Sequence, residues 1–267
     1  VTRKARPRVL VAAGLDPTGG AGLVADLEAL RAVGAEGWAV ATALTAQGPR
    51  GGRGFAPTTE VFLLAQIDAL LDGGRRPGAV KTGMLGTAGL ARVLAARLAE
   101  RPLGRVPLVV DPVLAASSGA PLLDTGGAPP GEALAPLLAR ARLATPNLPE
   151  LALLTGADVS TDDAAIVAAR LLPARAVLVK GGHRAGAPVD LLVEGRKVTR
   201  LAGRRRAGTA RGTGCRLASA IAGLLARGAT LEEAVRGGKR VVERYLDAAA
   251  RDGISRGRDF RRPRTPR

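Results

Sequence analysis

The 267-residue chain is 46% apolar, carries a formal net charge of +17 and has one cysteine. That is enough apolar material for one large core, but no run approaches the ~18 uninterrupted apolar residues of a membrane span. A lone cysteine excludes an internal disulfide and fits a cytoplasmic setting. About half of the charge sits in Arg3, Lys4, Arg6 and Arg8 and in the tail from Arg251 to Arg267, segments whose composition predicts disorder. Basic arms can bind phosphate backbones. Aromatic residues make up only 2% of the chain, however, which leaves little to stack on bases. No helix-turn-helix, zinc-finger or RNA-recognition pattern is present either. Val1 to Arg8 leads directly into a strand-like run, without the apolar region of a secretory leader.

Val9 to Ala13 is a short apolar run of the kind a buried parallel strand needs. It breaks into Gly14-Leu15-Asp16-Pro17-Thr18-Gly19-Gly20-Ala21-Gly22, a close-approach loop opening a helix marked by Leu23, Leu27 and Leu30. The loop has no Walker A ending and does not fit G-x-G-x-x-G cleanly. Asp26, one turn into that helix, faces either a crevice or water; taken alone, water is the better reading. A second strand, Trp38 to Leu44, ends at Thr45-Ala46-Gln47. Gly48 to Pro57, rich in Gly and Arg and without a period, reads as a mobile loop.

Val61 to Leu71 and Leu85 to Leu98 read as helices on either side of a short strand, Ala79-Val80-Lys81. Leu108 to Val110 is a strand stopped by Asp111-Pro112, and Ser117 to Pro130 is loop. Glu132 to Ala139 is helical, and Leu143 to Thr145 is a strand ending at Pro146-Asn147. Helices at Glu150 to Leu154 and Asp162 to Leu172 precede the strand Ala176 to Val179. Leu191 to Val193 and Val198 to Leu201 form a hairpin around Glu194-Gly195-Arg196, and helices begin at Cys215 and Leu231. Strands alternating with helices predict one α/β domain, a mostly parallel sheet with helices on both faces. Ligands then bind beyond the carboxyl ends of the strands. Polar groups gather there after Ala13, Leu44, Val110, Thr145 and Val179.

Gly212-Thr213-Gly214-Cys215 leads into an apolar-periodic run. Two glycines and a helix N-terminus can point several N–H groups into one concavity, which favours an anion. Cys215 would sit in the first turn, where the same field lowers a thiol's pKa. The plainer reading is a Gly-rich helix start with a buried cysteine. Asp111 suits Mg²⁺ or a phosphate-bound water, or a turn. Asn147-Leu148-Pro149-Glu150 has capping-box spacing, with a place beside a magnesium–nucleotide complex as the alternative. Lys180 is one of only five lysines among 40 basic residues, and before Gly181-Gly182 its ammonium can reach a phosphate. His183 is the sole histidine, a type more often structural than catalytic when alone; Lys81 reads as structural.

Taken together, these stretches resemble the hydroxymethylpyrimidine/phosphomethylpyrimidine kinases of thiamine biosynthesis, within the ribokinase-like superfamily. The resemblance rests on Ala13 to Gly22 with Asp26, Thr42-Ala43-Leu44-Thr45-Ala46-Gln47, Val80 to Leu85, Val110-Asp111-Pro112-Val113, Thr145 to Glu150, Lys180 to His183 and Gly212 to Cys215. It implies a ribokinase-like kinase domain over residues 1–253, followed by a basic tail, 254–267. It also implies ATP and Mg²⁺ as cofactors, and two successive phosphorylations of a small pyrimidine alcohol. Gln47, Asp26 and Gly14 would then face the pyrimidine, and Lys180 and Asn147 the nucleotide. Asp111 and Glu150 would serve the metal, and Gly212, Thr213, Gly214 and Cys215 the transferred phosphoryl group. In most ribokinase relatives an Asp stands where this family has the cysteine. The family often dimerises, so a homodimer is an expectation that sequence alone does not decide. Pyridoxal or pyridoxamine phosphorylation is the nearest alternative, and a pyrimidine-binding module without catalysis is another. The chain departs from the family at Arg211, Arg216, Ala218, Ser117 and Gly48-Pro49. Arg211 and Arg216 are expected to flank the phosphate pocket.

Overall fold

Apolar runs become the strands of a nine-stranded sheet, and the helical stripes between them cover its two faces. The computed structural model describes residues 6–48, 51–116, 119–182, 187–204 and 210–251. In chain order these form β1 (Arg8–Leu15), α1 (Gly22–Ala32), β2 (Glu36–Gly48), β3 (Gly51–Pro57), α2 (Glu60–Leu71), β4 (Ala79–Thr82), β5 (Gly86–Thr87) and α3 (Ala88–Ala99). There follow β6 (Leu108–Val110), β7 (Leu123–Asp124), α4 (Pro130–Leu138), β8 (Leu143–Ala144), α5 (Leu148–Thr155), α6 (Asp162–Leu171) and β9 (Val177–Val179). The hairpin β10 (Val189–Glu194) and β11 (Lys197–Ala202) leads to α7 (Thr213–Ala226) and α8 (Leu231–Arg251).

The sheet order is β11-β10-β9-β8-β6-β4-β1-β2-β3. Strands β9 to β2 in that order run parallel, and antiparallel strands finish both edges. The order reverses around β1, whose neighbours are β2 and β4, and such a switch leaves a crevice at the strands' carboxyl ends. Side chains alternate along β1: Leu10 and Ala12 join the core with α2 to α6, whereas Val9, Val11 and Ala13 join the core with α1, α7 and α8.

Two local expectations are corrected. The stretch read as a mobile loop is, over Gly51–Pro57, the edge strand β3. It pairs with β2 from Ala43↔Pro57 to Gly48↔Gly51, with a register shift between Ala46 and Gln47. Backbone pairing supplies an order that side-chain periodicity does not signal there. The same pairing draws Gln47 into β2 itself. The helix expected from Leu85 starts at Ala88, because Gly86 and Thr87 pair with Leu123 and Asp124 and the Thr87 hydroxyl caps α3. Pro49, Ser117, His183 and the tail beyond Arg251 lie outside the described residues.

Candidate active site

The start of α7 is set by a backbone position that favours glycine. Gly212 has φ +70°, and a Cβ there would stand 2.3 Å from the Gly20 carbonyl oxygen, so the loop from Asp16 to Gly22 lies against the helix start. The Arg216 N–H closes the first turn on the Gly212 carbonyl at 3.0 Å. The N–H groups of Thr213, Gly214 and Cys215 have no acceptor within the helix and carry the positive end of its dipole. A Cβ on Gly214 would lie 3.2 Å from Lys180 Nζ and 3.8 Å from Asp111 Oδ2. The amide pocket, the lysine and the aspartate therefore converge.

Lys180 leaves the end of β9 beside Asn147, with which it forms an isolated parallel bridge. The turn after it needs glycine: a Cβ on Gly181 would come 1.8 Å from the Val189 carbonyl oxygen, and the Gly181 amide donates to Asp190 Oδ1 at 2.8 Å. Lys180 Nζ lies 2.9 Å from Asp111 Oδ1 and 3.5 Å from Glu150 Oε2. Thr145 donates to the same Asp111 oxygen at 3.0 Å. Asn147 and Glu150 form the capping box, with reciprocal bonds of 2.8 Å. The cap and site readings thus hold together, because capping is what brings Glu150 to Lys180.

Burial alone would raise the Asp111 carboxyl, but Lys180, Lys81 and the Thr145 hydroxyl outweigh it and hold Asp111 below the ordinary carboxylate value. Burial raises Glu150, with Asp111 adding to it and Lys180 opposing. Burial would lower Lys180, yet the two carboxylates leave its pKa raised, so it remains an ammonium.

Cys215 overturns a local rule. Burial pushes its thiol up to about 11, against Lys81 and a hydrogen bond from the Gly22 amide, while Asp26 and Asp111 add to the rise. The sulfur is a neutral thiol at pH 7. Beneath it lies a pair that the sequence reading did not join. Asp26, expected either in water or at the pyrimidine, is fully buried, and its carboxylate is taken by Lys81 and Ser219. Its distance in sequence from both partners hid this. Ser219 follows Cys215 by four residues, on the same face of α7, so the ion pair sits alongside the first turns of that helix.

Gln47 stands on the other side. Its Nε2 donates to Thr45 Oγ1 at 2.8 Å, and its Oε1 accepts from Arg211 at 2.6 Å. Gly14 meets Met84, whose sulfur would be 2.8 Å from a Cβ there, and a Cβ on Gly22 would lie 2.2 Å from the Gly14 carbonyl oxygen. The backbone approach therefore requires glycine at Gly22, while Gly14 packs against the Met84 side chain. Arg216 lies against the start of α7, where a Cβ on Gly212 would stand 2.8 Å from its Nη1. It is buried, bonds Glu28 at 2.6 Å and the Gly20 carbonyl at 3.0 Å, and stacks 3.9 Å over the Tyr245 ring. Asp16, not singled out from sequence, is a buried carboxylate that accepts from Thr18 and Ala21 and forms an ion pair with Arg211 at 3.2 Å. Its only sequence signal was its place in the Gly-rich loop.

Residues 16–260 match the family described as phosphomethylpyrimidine kinase. The chain is 43% identical over 252 residues to the thiamine biosynthesis bifunctional protein ThiED of Geobacter sulfurreducens, covering 92% of this chain but 49% of that protein. It thus spans about half the length of that relative. It is 42% identical over 250 residues to the hydroxymethylpyrimidine/phosphomethylpyrimidine kinase of Streptomyces coelicolor, covering 91% of this chain and 89% of the relative. Among solved structures, the pyridoxal kinase from Staphylococcus aureus in complex with AMP-PCP and pyridoxal superposes with a TM-score of 0.78 at 28% identity, covering 91% of this chain and 88% of that one.

Proposed function

The chain belongs to the phosphomethylpyrimidine kinase family, and we propose that it phosphorylates 4-amino-5-hydroxymethyl-2-methylpyrimidine with ATP and then extends the monophosphate to the diphosphate, for thiamine biosynthesis in the cytoplasm. One observation carries the reading: Lys180, paired with Asp111 and Glu150, stands against Gly214 at the open amide end of α7. The site therefore combines a fixed cation, carboxylates and backbone donors where a phosphoryl group must be neutralised. The matching family and the 42% identity to a hydroxymethylpyrimidine/phosphomethylpyrimidine kinase support the pyrimidine as substrate.

In the first step the hydroxymethyl oxygen attacks the γ-phosphorus as the bond to the ADP oxygen breaks, its proton passing to water; in the second an ionised oxygen of the monophosphate attacks in the same way, with no proton to lose. The α7 amides and Lys180 hold the equatorial oxygens, and Gln47 orients the ring. A loose transition state needs little help from a base, which suits a neutral Cys215 thiol.

Mg²⁺ belongs to the same reading, and the residues fit it. Asp111 accepts both of its side-chain bonds on Oδ1, leaving Oδ2 toward α7. Mg²⁺ is commonly held by one or two carboxylates together with phosphate oxygens. Asp111 and Glu150 would hold it, and it would neutralise phosphate charge.

The test is incubation with ATP, Mg²⁺ and either the pyrimidine alcohol or pyridoxal, with products weighed by mass spectrometry. Mono- and diphosphorylated pyrimidine are expected. Phosphorylated pyridoxal alone would replace this reading with its rival, and no product from either would favour a module that only binds.

A further inference from the structure

Arg211 immediately precedes Gly212, so its backbone forms the rim of the amide pocket. That backbone is clamped: its carbonyl accepts from Tyr245 Oη at 3.2 Å and from Arg216 at 3.4 Å. The side chain runs the other way, to Gln47 Oε1 at 2.6 Å, Asp16 Oδ2 at 3.2 Å and Thr18 Oγ1 at 3.4 Å. Its guanidinium therefore spans the ground between the group that orients the ring and the pocket that receives the transferred phosphoryl group. In the first phosphorylation that ground holds a neutral hydroxymethyl arm. In the second it holds a phosphate ester.

We propose that Arg211 is the specificity-determining residue for the second step, binding the phosphate that the monophosphate substrate already carries; the inference rests on the two-step reading above. The other cations of the cluster are committed elsewhere. Lys180, against Asp111 and Glu150, serves the transferred phosphoryl group, Lys81 is sealed against Asp26, and Arg216 holds Glu28 and Gly20. The Arg211 side chain is 27% exposed, while the Asp16 that aims it is 1% exposed. Among the described residues its contacts engage at most three of five N–H donors. A planar fork with donors to spare matches two phosphate oxygens.

The test measures KM and kcat separately for the alcohol and the monophosphate in wild type, Arg211→Ala and Arg211→Lys. Arg211→Ala is expected to raise KM for the monophosphate about tenfold or more, the loss of a charge-assisted contact, and KM for the alcohol much less. Arg211→Lys should recover part of the difference. Calorimetric titration of the monophosphate without nucleotide gives the same contrast. Equal rises for both substrates would assign Arg211 to holding Gln47 and overturn the proposal, as would no change for either. Wild type that phosphorylates the alcohol but not its monophosphate would end the two-step reading itself. Should Arg211→Ala fail to fold, Arg211→Gln reads the same contrast.

Discussion

Lys81 Nζ lies 2.8 Å from each carboxylate oxygen of Asp26, and neither side chain has exposed surface. Burial alone would lower the lysine, but Asp26 and the more distant Cys215 and Asp111 leave it raised. Removing one partner leaves the other charge sealed away from water. Lys81→Met is therefore expected to cost about 3–5 kcal/mol, measured by denaturant unfolding. The double variant Lys81→Met, Asp26→Leu should recover most of that loss. A single substitution as mild as a surface change would show that the pair is not ionised.

Lys180 has a comparable geometry but a different task, because its ammonium is partly exposed and touches two carboxylates. Lys180→Met should lower kcat by about 10²–10³, as removal of one transition-state donor does. It should also change the acid limb of stability. A carboxyl held below its ordinary value, as Asp111 is, contributes stability that is present above its unfolded pKa and lost as pH falls through the folded one. Without Lys180 that contribution shrinks, so the variant's stability should fall less steeply on acidification. An unchanged kcat would remove Lys180 from the chemistry.

Cys215 gives a pH signature of opposite sign. With the thiol raised to about 11 from an ordinary value near 9, the folded state holds its proton more tightly than the unfolded chain. This contributes stability that is complete below pH 9 and lost as pH rises toward 11. Alkylation of the folded protein by iodoacetamide should accordingly be slow at neutral pH, with its midpoint near 11. A midpoint well below 9 would restore the helix-field reading of a reactive thiolate.

What the sequence could reveal followed from range. The strands through Val9, Val80, Val109 and Val177 are apolar runs, and Asn147 with Glu150 announces its own cap, so local pattern suffices for both. The Gly-rich edge strand β3 has no side-chain period because its order comes from β2. Asp26 and Lys81 are far apart in the chain, so no window shows that each exists for the other. Arg216 stays beside Gly212, as its place in the sequence implies, but no window shows that Glu28 and Tyr245 take its guanidinium. The Cys215 expectation failed because the dipole rule is local, whereas the raised thiol reflects desolvation and the Asp26 and Asp111 carboxylates, which come from distant parts of the chain.

A neutral sulfur at this position bears on the second phosphorylation. On the proposed two-step reading the monophosphate would bring negative charge into the ground between Gln47 and the α7 amides, and a thiol near 11 adds none of its own at pH 7. A carboxylate there would repel the phosphate by on the order of 4 kcal/mol for unit charges 4 Å apart at an effective dielectric near 20, reduced by screening. Cys215→Asp is therefore expected to lower kcat/KM for the monophosphate at least about tenfold more than for the alcohol, where no such repulsion arises. The two rates measured side by side in one preparation decide it. If the second step survives the substitution as well as the first, the cysteine is not there to keep charge out.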